Sequence, residues 1–194
     1  MPAMVRIARA QQFAVVPLDK PGCFVTRVDK NDPGWPCADW YRWALARDKT
    51  LHPAATIVNF LFPTRLQQRP ASTVRHIRSV LSQVTRGVLL ADQPSQDQQP
   101  SACLFKPGAN MGRCSARLPS TYVPLMKALA HMTTLTHHPA IPTMQWFCAD
   151  RICPIIVDHI LTVRDLDHMT TEYSTALTPL LSAELKAILA RLER

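Results

Sequence analysis

An aspartate and a histidine near the C-terminal end of the chain are the pair best placed to do chemistry. They are Asp165 and His168, in the segment Arg164-Asp-Leu-Asp-His168. Across one turn, the carboxylate can accept a hydrogen bond from the imidazole Nδ1–H and leave Nε2 free to act as a base. This pair would make two-thirds of a hydrolytic triad. The alternative is a surface histidine that caps a helix.

Six cysteines form a second group of reactive side chains, and they fall into three close pairs: Cys23 with Cys37, Cys103 with Cys114, and Cys148 with Cys153. An even count in short-range pairs indicates disulfides and an oxidising compartment. Six ordinary buried thiols are one alternative. A zinc site formed by Cys148 and Cys153 with His159 and His168 is another, but that spacing matches no standard zinc site, and we predict no metal.

Composition excludes several classes of protein. The chain has 194 residues, of which 47% are apolar and 19% charged, as in a globular protein rather than a disordered or fibrous one. Only 5 glycines are present, against 17 prolines. So few glycines exclude the Gly-rich loops that bind phosphate groups. We therefore predict no cofactor.

The net charge of +8 would suit an anionic partner. The basic residues are scattered singly, however, and the densest local set is Arg65, Arg69, Arg75 and Arg78. This set has no interleaved aromatic residues and is typical of the solvated side of a helix. The sequence therefore predicts no nucleic-acid partner.

Apolar runs in the sequence are short. The longest, 54–62 and 154–163, fall below the roughly 18 uninterrupted residues of a membrane helix. The apolar stretch at 13–18 is too short for a signal peptide and contains Pro17. We expect neither a transmembrane segment nor a signal peptide in the sequence as written, although the cysteines indicate an oxidising compartment.

Predicted strands alternate with predicted helices along the chain. The strands are expected at Phe13–Leu18, Ala55–Phe62, Val88–Ala91 and Ile141–Phe147, with a broken extended segment at Ile155–Val163. The helices are expected at Met4–Gln12, Ala38–Lys49, from an N-cap at Ser72 to Gly87, at Tyr122–Met132 and at Thr175–Leu192. Asp92–Pro100 is expected to be a solvated loop. This alternation predicts one α/β domain over residues 1–194, with a mostly parallel sheet.

Several of these segments resemble one known family. The last third of the chain closely resembles the C-terminal end of an SGNH hydrolase domain. The segments that carry this resemblance are residues 146–154, residues 163–170, and Tyr173 with the Leu-rich final helix. The resemblance is to the SGNH domain fused to bacterial membrane O-acyltransferases of the acyltransferase-three type. In that family a cysteine pair precedes an Asp-x-x-His block, which Asp165 and His168 match. Residues 2–9, 16–23, 37–40, 89–92 and 103–114 also fit, so the resemblance covers essentially the whole chain.

The resemblance implies a fold and an activity. The fold would be a three-layer αβα sandwich with a flavodoxin-like sheet, and the domain would lie outside the cytoplasm beside a membrane acyltransferase domain. His168 would act as general base towards a serine, with Asp165 orienting it, and acetyl would pass to or from a sugar hydroxyl of a cell-envelope glycan. Gly22 and Asn59 are the nearest candidates for oxyanion donors, and Asn59 is expected inside its strand.

One departure from the family concerns the nucleophile. The family places it in a Gly-Asp-Ser block at the end of the first strand, just before the helix that residues 2–9 resemble. None of the five glycines is followed by Ser at either of the next two positions. We therefore expect an N-terminally truncated domain that lacks its first strand, is poorly stable alone and is inactive as written.

A non-catalytic module is the alternative function. Such a module would keep the fold and bind carbohydrate or another partner, with Trp35, Trp40 or Trp146 stacking on sugars. Core packing is the other explanation for these tryptophans.

Overall fold

Helices and strands alternate along the part of the chain that the computed structural model describes, residues 2–28, 30–60 and 67–192. The helices are α1 (Pro2–Gln11), α2 (Cys37–Leu51), α3 (Pro70–Leu81), α4 (Pro100–Leu104), α5 (Met111–Cys114), α6 (Tyr122–Thr136), α7 (Met144–Phe147), α8 (Thr171–Ala176) and α9 (Thr178–Leu192). The strands are β1 (Asn31–Asp32), β2 (Trp35–Pro36), β3 (Thr56–Asn59), β4 (Gly87–Leu90), β5 (Ala116–Arg117), β6 (Ala140–Ile141), β7 (Ile152–Cys153), β8 (Ile156–Val157) and β9 (Ile160–Leu161).

A parallel sheet of β3, β4 and β6, in that order, lies at the centre of the fold. Val58 of β3 lies opposite Leu89 of β4, which in turn lies opposite Ala140 of β6. The other pairs, β1 with β2, β5 with β7 and β8 with β9, are short antiparallel ladders. The carboxyl ends of parallel strands meet at one edge of a sheet, so the segments that follow β3 and β4 emerge together.

Helices cover both faces of this sheet. Successive strand residues point to opposite sides, so each strand contributes apolar side chains to both faces. On one face, Val58 and Leu89 belong to an apolar cluster with residues of α2, α3 and α6, among them Tyr41, Ile77, Leu81, Leu125 and Leu129. On the other face, Val88 and Ile141 pack with residues of α1 and α9, namely Ala3, Ile7, Leu181, Leu185 and Ile188. The α/β class and the three-layer sandwich are therefore confirmed.

Two predicted strands differ from the structure. Residues 13–18 form no strand, and Val16 is 52% exposed. A strand needs backbone partners on a neighbouring strand, and none pairs with this segment among the described residues. The strand predicted at Ile141–Phe147 ends at Ile141, because Pro142 has no N–H to donate and helix α7 follows.

Boundaries of other predicted elements also shift. Strand β3 covers Thr56–Asn59 of the predicted Ala55–Phe62, and residues 61 and 62 lie outside the described residues. Helix α3 begins at Pro70 rather than after Ser72, since proline suits the first turn of a helix. It ends at Leu81 rather than at Gly87. The final predicted helix is two helices, α8 and α9.

The predicted solvated loop at Asp92–Pro100 is buried over most of its first part, whereas Asp97 and Gln99 are exposed as predicted. Ala91, Asp92, Gln93, Pro94, Gln96 and Pro100 are all buried. Polar composition suggested solvent exposure, but the Gln93 amide, the Asp92 carbonyl and the Gln96 N–H make hydrogen bonds within the protein. The buried Gln96 Oε1 has no hydrogen-bond partner among the described residues. Residues 91–96 therefore belong to the packed interior at the carboxyl edge of the sheet.

Three disulfides join the cysteines: Cys23 to Cys37, Cys103 to Cys114, and Cys148 to Cys153. These are the pairs that are close in the sequence, and no described cysteine is a free thiol. Cys23 and Cys37 lie in the same apolar cluster as Val58 and Phe60. The first disulfide therefore fastens the segment before β1 to the start of α2 and to the core.

None of the helices in the described ranges has both the length and the apolar character needed to cross a membrane.

Removing the disulfides should destabilise the fold according to the length of chain each one closes. Cys23 and Cys37 are separated by 14 residues, and Cys148 and Cys153 by 5. We expect replacement of the first pair by alanine to cost about 3 kcal/mol of unfolding free energy and of the second about 2 kcal/mol. Urea unfolding of the wild-type protein and of each double-alanine variant, without reductant, measures both losses of unfolding free energy. Alkylation of six thiols in the denatured, unreduced wild-type protein would contradict the disulfides.

Candidate active site

Asp165 and His168 are in direct contact. The His168 Nδ1 atom lies 2.9 Å from Oδ1 and 3.0 Å from Oδ2 of Asp165. The backbone N–H groups of Asp167 and His168 donate to the same Oδ1, at 3.0 and 2.8 Å. We call residues 165–168 the dyad turn. One carboxylate thus holds both the backbone of the turn and the imidazole ring that the turn carries.

The contacts of Asp165 also set its charge. Partial burial opposes ionisation, but the hydrogen bonds from the Asp167 N–H and from the His168 ring and N–H outweigh it and hold the pKa of Asp165 below its usual value of 3.8. At neutral pH the group is a carboxylate and can accept the Nδ1–H of His168. The imidazole Nε2 is then the nitrogen available as a base, on a side chain that is 60% exposed.

Both ends of the dyad turn are fixed by backbone hydrogen bonds. The Arg164 N–H donates to the His168 carbonyl at 2.9 Å, and Val163 forms a β-bridge with Met169. After the turn, the Thr170 hydroxyl accepts the Tyr173 N–H at 3.1 Å and so caps α8. The turn is thus a closed loop whose exit continues directly into a capped helix.

The dyad turn packs against the residues that follow β4. We call residues 91–96 the Gln93 loop. The Gln93 Nε2 donates to the carbonyl of Asp167 at 2.7 Å, and the Gln96 N–H donates to the carbonyl of Leu166 at 2.8 Å. These contacts place the dyad turn at the carboxyl edge of the sheet, where ligands bind in open α/β folds.

The first turn of α1 approaches the helix that follows the dyad turn. The Ala3 N–H donates to the Ser174 hydroxyl at 3.4 Å, and Ser174 lies six residues after His168. Both residues are buried. The N-terminal end of α1 therefore lies beside the start of α8, close along the chain to the dyad.

Asn59 lies at the tip of its strand and not inside it, as the sequence had suggested. It is the last residue of β3, its side chain is exposed, and its Nδ2 donates to the Leu90 carbonyl at 3.0 Å. The last pair of its ladder with β4 joins Asn59 and Leu90. Asn59 therefore reaches the same edge of the sheet as the Gln93 loop, although it makes no hydrogen bond to Asp165 or His168.

Gly22 is explained by packing. Its φ of +78° is unfavourable for other residues, and a Cβ atom there would lie 2.3 Å from the ring of Trp35. Trp35 is 44% exposed and lies over the turn that Gly22 forms. No hydrogen bond joins Gly22 to the dyad turn.

The other tryptophans named as candidates are half-buried. Trp40 packs against the cluster that contains Tyr41, with ring centroids 4.9 Å apart in an edge-to-face arrangement. Trp146 packs on the α1 and α9 face and beside Tyr173. Core contacts therefore account for much of the surface of both rings.

The sequence interpretation missed Gln93 and Gln96 as neighbours of the dyad. The available signal was their position, since both follow directly after a buried parallel strand. Their polar composition instead predicted that they would be exposed to solvent.

The packing of Trp35 on Gly22 can be tested with a matched pair of glycines. Gly34 also has a positive φ, +76°, but a Cβ atom there would meet nothing within 4 Å. We expect Gly22→Ala to lose about 1 kcal/mol or more of unfolding free energy beyond the loss in Gly34→Ala, because the Trp35 ring must move. Urea unfolding and tryptophan fluorescence measure this difference. Equal losses in the two variants would contradict the packing.

Comparisons with known proteins agree with this architecture. The model of the family described as the SGNH domain (fused to AT3 domains) matches residues 1–183. Among curated proteins, no sequence matches the chain.

Two solved structures are similar in fold. The periplasmic domain of a lipopolysaccharide acetyltransferase from Salmonella ser. Paratyphi A has a TM-score of 0.75 at 11% identity, with 95% of this chain and 78% of that chain covered. The inhibitor-bound aryl esterase of M. smegmatis has a TM-score of 0.56 at 13% identity, with 97% and 87% covered. At these identities the likeness establishes the fold, and the family match extends over nearly the whole sequence. The chain belongs to the family of SGNH domains that are fused to AT3 domains.

Proposed function

We propose that this chain is the SGNH part of a membrane O-acyltransferase of the kind that moves acetyl groups to or from cell-envelope glycans, and that as written it lacks the serine nucleophile. The observation that carries the proposal is the Asp165–His168 pair, held at the carboxyl edge of the parallel sheet. Support for the chemistry comes from the similar structures, an acetyltransferase domain and an aryl esterase. The glycan acceptor follows from the lipopolysaccharide named for the first of them.

The proposed reaction uses His168 as general base. The Nε2 atom takes the proton of a serine hydroxyl while the serine oxygen attacks the acetyl carbonyl, and the donor oxygen leaves with that proton. A sugar hydroxyl then attacks the acetyl-serine ester and gives its proton to Nε2, which passes that proton to the departing serine oxygen. Asp165 keeps Nδ1 protonated and stabilises the imidazolium that forms in each step.

We place the serine at the N-terminal end of α1. The contact between Ala3 and Ser174 brings that end beside α8, which directly follows the dyad turn. The printed sequence holds no Gly-Asp-Ser block. We propose that the chain as written is inactive in acyl transfer, and that a strand carrying this block would pair with β3, whose outer edge has no ladder partner among the described residues.

Asn59 is the proposed oxyanion donor. Its side-chain amide lies at the end of β3, at the sheet edge that the Gln93 loop also occupies. An amide N–H aimed at the developing negative charge on the acetyl oxygen would lower the barrier to attack. We assign no such role to Gly22, because the Trp35 ring covers it.

The compartment and partner follow from the disulfides and the family. Three disulfides are stable in oxidising surroundings. We propose that residues 1–194 are one domain outside the cytoplasm, working beside a membrane acyltransferase domain, as the fusion named for the family suggests.

A carbohydrate-binding module without catalysis is the second candidate. The exposed face of Trp35 favours it, since exposed aromatic rings stack on sugars. Loss of glycan binding in Trp35→Ala, together with an unchanged esterase rate when His168→Ala is made in the chimera described next, would favour this module over the acyl-transfer domain.

A chimera tests the catalytic proposal. We expect a strand ending in Gly-Asp-Ser, joined ahead of Pro2, to give hydrolysis of p-nitrophenyl acetate that the chain as written lacks. His168→Ala in the chimera should reduce kcat about a thousandfold, because the serine loses its base.

Replacing His131 is the matched control, because it is an exposed histidine on α6. His131→Ala should leave the rate of the chimera unchanged. Equal rates in the chimera and its His168→Ala variant would contradict a catalytic role for His168.

A further inference from the structure

The Gln93 loop is buried although most of its residues are polar, and it contacts the dyad turn directly. We propose that Gln93 is a positioning residue, which fixes the place of the dyad turn on the sheet through its hydrogen bond to the Asp167 carbonyl. This inference rests on the proposed function, since it assigns a role in the same site.

The two residues between Asp165 and His168 are both held by the Gln93 loop. The Leu166 carbonyl accepts the Gln96 N–H at 2.8 Å, and the Asp167 carbonyl accepts the Gln93 Nε2 at 2.7 Å. Consecutive carbonyls of the turn therefore both point towards donors of one loop. Of these two donors, only the Gln93 amide is a side chain that substitution can remove.

The Gln93 loop is itself fixed to the sheet and to the helices beside it. The Ala91 N–H donates to the Ile141 carbonyl of β6 at 3.1 Å. The carbonyl of Asp92 accepts the Tyr122 hydroxyl at 2.5 Å and the Thr143 hydroxyl at 3.0 Å. Gln93, which follows, is 8% exposed. Its amide is therefore a donor on a rigid base rather than on a mobile surface loop.

The hydrogen bonds inside the dyad turn do not fix the position of the turn on the sheet. Those from His168 and Asp167 to Asp165 fix the shape of the turn, but they leave its position on the sheet undetermined. A base must lie within hydrogen-bonding reach of its nucleophile, and an error of about 1 Å is costly to catalysis. Gln93 and Gln96 supply the contacts that join the turn to the end of β4.

Replacement of Gln93 by methionine tests this role in the full 194-residue chain. Methionine keeps the length of the side chain but has no N–H to donate. Gln98→Met is the matched control, because the Gln98 Nε2 also donates to a backbone carbonyl, that of Arg113, at 2.8 Å. The Gln98 bond lies on the side of α5 and does not involve the dyad turn.

Two measurements by NMR distinguish the variants. We expect Gln93→Met to speed hydrogen exchange of the Gln96 N–H roughly tenfold, as the loss of the part-buried hydrogen bond from Gln93 to the Asp167 carbonyl implies. The carboxyl titration of Asp165 should move up towards 3.8, because its backbone donors loosen. Gln98→Met should change neither value.

The result that would overturn the proposal is wild-type exchange and wild-type Asp165 titration in Gln93→Met, or equal changes in Gln98→Met. If Gln93→Met does not fold, Gln93→Leu provides the same test, since leucine also has no N–H to donate and adds no charge beside Asp165. Neither measurement uses catalytic activity. A chimera indifferent to His168 would therefore overturn the proposed function alone, whereas unchanged exchange would overturn the role of Gln93 alone.

Discussion

The hydrogen bonds to the Asp165 carboxylate are the interaction on which the candidate site depends. One oxygen accepts two backbone N–H groups and both oxygens face the His168 ring, so a single charge shapes the turn and orients the imidazole. The carboxylate can do this because those hydrogen bonds lower its pKa despite partial burial. A neutral acid there would lose acceptor strength towards the ring and the backbone together.

The rest of the fold places that turn. Apolar clusters on both faces hold the parallel sheet, and the end of β4 continues into the Gln93 loop, whose donors hold the carbonyls of Leu166 and Asp167. Helix α8 follows the dyad turn and contacts the N-terminal end of α1 through the hydrogen bond from the Ala3 N–H to the Ser174 hydroxyl. Two elements far apart in the sequence, α1 and the dyad turn, thereby become neighbours.

Features set by short-range spacing could be predicted from the sequence. The contact of Asp165 with His168 spans three residues, and each disulfide joins cysteines within 14 residues. Features set by distant partners could not. Residues 13–18 are apolar like a strand, but a strand requires a neighbour. The residues after β4 are polar like a surface loop, but they are buried because their donors meet carbonyls 70 or more residues further on.

The most direct test of this account is the protonation state of the His168 ring in the full chain, read from a long-range proton–nitrogen correlation spectrum near neutral pH. We predict that the neutral ring carries its proton on Nδ1, donated to Asp165, and that its Nε2 is unprotonated. A neutral ring protonated on Nε2, the common form of a histidine without a partner, would contradict it, because such a ring could neither bind Asp165 as described nor act as the base.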